Sequence, residues 1–277
     1  MNAPPASAPL LEVRDLKVHL RVGDRVVPAV DGVDFRVAAG ECVGIVGESG
    51  SGKSTLARAI TRLMPNVHIA QLSGSLRFEG RDLLGLDERA LRALRRARGF
   101  SMIFQDPLGH LNPTQRVGRQ IAEALAPDAR GGRAPQPPVV QLLEEVGFAE
   151  PADVARRYPH ELSGGMRQRV MIAIALASDP KLLFADEPTT ALDATVQLQV
   201  LHTLYRLHRQ RGMAMAVITH DLGVVAELCD RVYVMQAGKV VEAAATIDLF
   251  ERPRQPYAAR LVELSTRRAP APGREGP

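Results

Sequence analysis

The run Gly47-Glu48-Ser49-Gly50-Ser51-Gly52-Lys53-Ser54 constrains this chain more than any other feature, because of what flanks it. Before it stands ECVGIVG, nearly all apolar, and after it TLARAITRLM, an amphipathic stretch that ends before Pro65. That order is strand, glycine-rich turn, helix. Glycines at this spacing let the backbone come close to an anion and aim its N–H groups at phosphates at a helix N-terminus. In such a loop Lys53 reaches the β- and γ-phosphates of a nucleotide, Ser54 holds Mg²⁺, and Thr55 adds a hydroxyl nearby. Lysine is scarce here, at Lys17, Lys53, Lys181 and Lys239 only, so a chance placement at the end of this pattern is improbable.

Two further elements suit the same chemistry. Leu182-Leu183-Phe184-Ala185-Asp186-Glu187 reads as an apolar strand that ends in two carboxylates. Beside a phosphate loop, Asp186 completes a Mg²⁺ site and Glu187 polarises the attacking water. In Leu162-Ser163-Gly164-Gly165-Met166-Arg167-Gln168, a serine and two glycines open a helical pattern that runs to Ala177. A helix start with a hydroxyl and bare backbone donors also suits an anion. One nucleotide rarely needs two phosphate grips from one chain.

Elsewhere the pattern alternates buried strands with helices. LLEVRDLKVHL and Val33 to Val37 read as edge strands of an antiparallel sheet, SLRF as a short strand, and MAMAVITH as a buried strand. Helical periodicity marks VGRQIAEALA, Val139 to Val146 and Val196 to Gln210, and VYVMQAGKVVE reads as a hairpin. The Pro/Gly-rich APDARGGRAPQPP reads as a surface linker. Together these predict an α/β fold with a largely parallel sheet.

At LSGGMRQR the chain resembles the ATP-binding cassette (ABC) family, and the other blocks follow in that family's order over about residues 10 to 262. The resemblance implies a P-loop NTPase fold: a RecA-like core, an antiparallel β subdomain, and a helical subdomain over about 107–168. It leaves residues 1–9 as a disordered arm and 263–277 as a flexible tail. It also implies a head-to-tail pair of cassettes, with Ser163, Gly164 and Gly165 closing in trans over ATP held by the other subunit. Gln105 in FQDP resembles the glutamine that senses Mg²⁺ and the attacking water. Ala191-Leu192-Asp193 resembles the loop that signals across the dimer, and His220 in ITHD the histidine that contacts the γ-phosphate. QDPLGHLNP, ADEPTTALDATVQ and THDLGVVAELCDRV are similar to the ATPases of oligopeptide, dipeptide and nickel importers. Such subunits pair with a second ABC ATPase, homologous or identical, beneath two transmembrane permease subunits fed by an extracytoplasmic substrate-binding protein. Residues Leu108 to Thr114 would face the permeases. The expected location is therefore the cytoplasmic face of the inner membrane. A soluble ATPase of the same fold, serving an assembly such as a phosphonate-degradation complex, is the competing reading.

The sequence departs from the family in two places. No aromatic residue precedes Phe35, so the usual adenine stack is missing; His19, or apolar contact from Leu20 or Val22, is the expected substitute. Only Gln255-Pro256-Tyr257 remains of a longer proline-tyrosine tail, and no cysteine follows Cys229, so no iron–sulfur cluster is expected. Net charge of +4 comes mainly from scattered arginines, and Arg89, Arg92, Arg95, Arg96 and Arg98 have helical spacing, which predicts a solvated face and no nucleic-acid partner. Cys42 and Cys229 read as buried thiols, and no apolar run approaches the ~20 residues that span a bilayer.

Overall fold

In the computed structural model, which describes residues 9–64, 69–125, 137–190 and 192–268, backbone pairing assigns the strands to two sheets. The strands are β1 (Leu11–Val22), β2 (Arg25–Val37), β3 (Cys42–Val46), β4 (Ile69–Phe78), β5 (Arg81–Asp82), β6 (Phe100–Ile103), β7 (Leu182–Asp186), β8 (Ala214–Thr219), β9 (Arg231–Gln236) and β10 (Lys239–Ala245). Helices α1 (Lys53–Ile60), α2 (Glu88–Arg96), α3 (Pro107–His110), α4 (Val117–Ala124), α5 (Pro137–Glu145), α6 (Pro151–Arg156) and α7 (Gly164–Leu176) precede the later strands. Then follow α8 (Ala194–Arg211), α9 (Leu222–Leu228), α10 (Thr246–Glu251) and α11 (Pro256–Arg268).

The larger sheet runs β10-β9-β3-β8-β7-β6, parallel throughout except for β10, which is antiparallel to β9. Its strands are apolar on both faces, as a sheet covered on both sides requires. Val43 and Ile45 of β3, Leu182 and Phe184 of β7, and Ala216 and Ile218 of β8 face one core with Leu56 and Ile60 of α1 and the strands β1 and β2. Cys42 and Val46, Leu183 and Ala185, and Met215 and Val217 face the other core, with α7, α8 and α9. The smaller sheet, β2-β1-β4-β5, is antiparallel and lies over α1. On the opposite side α4 and α5 stack on α7, and α6 packs on α4 and α5.

Several elements are longer than their apolar patterns suggest. β2 begins at Arg25, not Val33, because the exposed apolar run from Val26 through Pro28 still pairs along β1, and β4 spans Ile69–Phe78, not SLRF alone, because polar Gln71 and Ser73 pair along β1. α11 continues to Arg268, which corrects the flexible tail expected from residue 263. Buried Ala258 and half-buried Leu261 and Val262 hold one face of that helix on the core. The arm to residue 8, Pro65, most of the linker (126–136), Ala191 and the stretch from 269 lie outside the described residues.

The arginine cluster forms a surface helix. Asp87 caps α2 by accepting the Ala90 N–H (2.7 Å), Glu88 pairs with Arg92 and Arg95, and Arg98 pairs with Asp179. Cys42 and Cys229 are buried free thiols with their Sγ atoms 3.8 Å apart. Among the described residues no helix is long and apolar enough to cross a membrane.

Candidate functional site

Every strand that carries site chemistry delivers it at its C-terminal end, where ligands of open α/β sheets bind. β3 leads into the glycine loop, β6 towards Gln105, β7 into Asp186 and Glu187, and β8 into His220. Two glycines of the loop tolerate no side chain. A Cβ on Gly47 (φ 151°) would stand 2.2 Å from the Met235 carbonyl, and one on Gly52 (φ 101°) 2.2 Å from the Ala29 carbonyl. Close backbone approach, as well as left-handed φ, therefore fixes glycine there.

The loop holds Lys53 inward. Its ammonium donates to the carbonyls of Gly47 (2.7 Å) and Glu48 (2.8 Å) and is almost fully buried. Burial lowers its pKa, opposed by the charges of Glu187 and Asp186. Ser54 Oγ donates to Asp186 Oδ1 at 2.7 Å. Asp186 has no exposed surface, and burial raises its pKa above the ordinary carboxylate value, against the Ser54 bond and the Arg58 charge. Its Oδ2 has no hydrogen-bond partner among the described residues, the nearest cation being Arg58 Nη2 at 4.0 Å.

Glu187 is held from three sides. Gln105 Nε2 donates to its Oε2 (3.1 Å), Thr190 Oγ1 donates to the same oxygen (2.8 Å), and His220 Nδ1 lies 3.5 Å from Oε1. Its φ of 45° is left-handed, a conformation that costs a non-glycine residue about 1 kcal/mol. Thr190 carries no pattern of its own in the sequence; the one available signal is a hydroxyl three residues after an acid in a turn.

Most of these groups line a cavity of about 910 Å³, though Asp186 and Thr190 do not. Ser49, Gly50, Gly52, Lys53, Ser54 and Thr55 line one side, and Gln105, Glu187 and His220 another. Gly47, Glu48 and Ser51 do not line it: the Ser51 carbonyl accepts the Gly238 N–H, and the Glu48 N–H donates to Tyr257 Oη. The remaining wall is Val27, Pro28 and Ala29 of β2 with Ala237 and Gly238 of the β9–β10 turn. The residues expected at adenine do not line this cavity. His19 pairs with Pro28 across the β1–β2 ladder, so it stands one strand further away, and neither His19, Leu20 nor Val22 reaches the cavity.

Ser163, Gly164, Gly165 and Asp193 also lie outside this cavity. They form a second locus, where two helix starts meet. Ser163 Oγ accepts the Met166 N–H (3.3 Å), and Asp193 Oδ1 accepts the Val196 N–H (3.0 Å). A Cβ on Gly164 would touch Leu192 at 3.5 Å, and one on Gly165 would collide with Val196 at 2.5 Å.

Comparison with known proteins agrees with this geometry. Residues 30–190 match the family model described as ABC transporter. The chain is 50% identical over 263 residues to a probable peptide ABC transporter ATP-binding protein of Sinorhizobium fredii, covering 95% of this chain and 78% of that protein. It is 49% identical to a peptidoglycan transport ATP-binding protein of Agrobacterium fabrum, but spans only 48% of that longer relative. Among solved structures, a dimeric ATP-binding cassette in a post-hydrolysis state with ADP and Pi aligns with a TM-score of 0.74 and 27% identity, over 85% of this chain and 98% of that one. The chain belongs to the ABC transporter family, as one of its ATP-binding cassettes.

Proposed function

We propose that this cassette is the ATP-hydrolysing subunit of a peptide importer. It works as half of a head-to-tail pair against two transmembrane permease subunits, at the cytoplasmic face of the membrane. The cluster around Glu187 carries the hydrolytic reading: a carboxylate held by Gln105, Thr190 and His220, on a cavity lined also by Lys53 and Ser54, with buried Asp186 bonded to the Ser54 hydroxyl.

The donor set fits Mg²⁺. An unpartnered carboxylate oxygen beside a hydroxyl offers hard oxygen ligands, and Mg²⁺ takes few protein ligands when phosphates supply the rest. Ser54 and Asp186 would hold it, with the Gln105 amide oxygen joining them; when bound it would spread charge off the β- and γ-phosphates. Ser49, Gly50, Gly52, Lys53, Ser54 and Thr55 grip the phosphates. Lys53 leaves its two carbonyls for the phosphate oxygens. Glu187 orients water for in-line attack, Gln105 and Thr190 fix that carboxylate, and His220 contacts the γ-phosphate. Ser163, Gly164 and Gly165 complete the site of the partner cassette, and Asp193 links the two sites. On this reading the cassette runs from Leu10 through α11, with a helical subdomain over about 107–168.

Peptide is the cargo that the Sinorhizobium relative's name supports; nickel or a metal chelate is the competing cargo. The test is reconstitution with the permease subunits, the second ATPase and the binding protein in proteoliposomes. Peptide-loaded binding protein should raise ATP turnover, and Glu187→Gln should lower it by ~100-fold or more while ATP still binds. Stimulation by a nickel chelate but not by peptide refutes the cargo, failure of permeases to co-purify refutes the importer, and full turnover in Glu187→Gln refutes the assignment of that residue.

A further inference from the structure

The phosphate loop is fastened from behind by the C-terminal helix, and the fastening falls on the residue next to the lysine's anchor. The buried carboxylate of Glu242 in β10 accepts the N–H groups of Arg254 (3.0 and 3.1 Å) and Gln255 (2.9 Å), which fixes the start of α11 to the sheet edge. One residue into that helix, Tyr257 Oη accepts the Glu48 N–H at 3.0 Å. The same Glu48 offers its carbonyl to Lys53 Nζ at 2.8 Å. Tyr257 thus reaches the catalytic lysine through a single intervening residue.

The contact spans 209 positions of sequence. It accounts for why Glu48, though inside the glycine motif, is absent from the phosphate cavity: its N–H is turned to the opposite side of the loop. A second cavity of about 660 Å³ lies on that side, bordered by Gly47, Glu48 and His220 and by Phe250, Leu261 and Leu264. α11 therefore runs behind both the phosphate loop and the His220 turn.

We infer that Tyr257 is a positioning residue for ATP binding, holding the Gly47–Glu48 peptide so that the Gly47 carbonyl faces Lys53 and the loop is preformed for phosphate. The physical reason lies in how a peptide unit rotates. The N–H of Glu48 and the C=O of Gly47 belong to one planar unit and point in opposite directions, so fixing that N–H on Tyr257 aims the Gly47 carbonyl at Lys53 Nζ, which donates to it at 2.7 Å. Without the hydroxyl, the Glu48 N–H turns to water, the loop samples more conformations, and ATP binding must order it again. Since the effect falls on binding and not on the attacking water, KM moves and kcat does not.

The test compares Tyr257→Phe with Val262→Ala in the full-length chain. Val262 packs the same helix onto the core. Four readouts are needed: binding of a fluorescent ATP analogue, thermal midpoint, amide exchange at Glu48, and steady-state ATP turnover. Tyr257→Phe should weaken ATP binding about three- to tenfold, as expected for one neutral hydrogen bond, raise KM by the same factor with kcat unchanged, and speed exchange at Glu48. Val262→Ala should lower the midpoint and leave ATP affinity as in the wild type. Unchanged ATP affinity in Tyr257→Phe overturns the inference, as does an equal loss of affinity in Val262→Ala, which would make the effect one of helix stability. The inference rests on this loop being the ATP grip; a wild-type chain that failed to bind the analogue would refute that reading and the inference with it.

Discussion

Gly165 offers the sharpest separation of structure from chemistry, because it has two reasons to be glycine. An alanine methyl there would lie 2.5 Å from Val196 Cγ1, where carbon contacts settle at about 3.5–4.0 Å. Val196 cannot easily turn aside. It sits in the first turn of α8, its N–H is held by Asp193, and a β-branched residue in a helix has essentially one χ1 rotamer. Overpacking of this kind costs ~1–3 kcal/mol, and the better helix propensity of alanine returns up to about 1 kcal/mol. Gly165→Ala should therefore lose about 1 kcal/mol, or roughly 2 °C of thermal midpoint in a chain of this size. Val196→Ala, which removes the clashing methyl, should restore the double variant to the stability of Val196→Ala alone. Turnover should behave differently. If the bare Gly165 backbone closes on the partner's γ-phosphate, the methyl added by Gly165→Ala obstructs that approach in either background, and ATPase activity of the dimer stays at least ~10-fold down, the worth of about 1.4 kcal/mol in the barrier. Additive stability losses would refute the close packing. Turnover recovering together with stability would refute the role in trans.

Two further outcomes follow from the cavity. Asp186 has a raised pKa in the fold, so its contribution to stability is complete below the ordinary carboxylate pKa and is lost as pH rises through the raised value. Nucleotide-free Asp186→Asn should then be more heat-stable than wild type at neutral pH and flat with pH across that window, while Mg²⁺-dependent ATP binding is lost. A variant less stable than wild type at about pH 7 would mean that Arg58 compensates the buried charge. For the base, Val27→Tyr places a ring on the aliphatic wall and should tighten ATP binding about three- to tenfold, the worth of an aromatic stack; a fluorescent ATP titration with unchanged affinity would show that adenine lies elsewhere.

What the sequence disclosed was local. The glycine loop, the acidic strand end and the serine-glycine helix start are each short, contiguous runs, and their chemistry follows from residue type and spacing. Buried strands of the parallel sheet were legible because they are apolar on both faces. β4 was not, since it mixes polar residues such as Gln71 and Ser73 into its run, and the first half of β2 was not, since Pro28 interrupts an exposed run with no alternation. Contacts decided by pairing across the fold were also hidden. The wall of Val27 to Ala29 depends on an irregular register between β1 and β2, and the Tyr257–Glu48 bond joins opposite ends of the chain. Thr190 needed the turn geometry after Glu187 before its hydroxyl had a target.

The adjacent carboxylates at the end of β7 show how one backbone angle divides two roles. Side chains along a strand alternate between faces. Leu182, Phe184 and then Asp186 take the α1 side, which puts Asp186 within reach of Ser54 at the helix start. Strict alternation would send Glu187 the other way, with Leu183 and Ala185 into the core under α7 and α8. A carboxylate there would be desolvated without a partner, a cost that no nearby group offsets. The left-handed φ at Glu187 breaks the alternation at the strand's last hydrogen bond, where its N–H still pairs with the Ile218 carbonyl at 2.9 Å. Its carboxylate consequently stands above the sheet edge among Gln105, Thr190 and His220, facing the cavity, while Asp186 stays below as a fixed, buried oxygen donor. Strain at one residue separates the group that would hold a metal from the group that would orient water, although the two are neighbours in the chain.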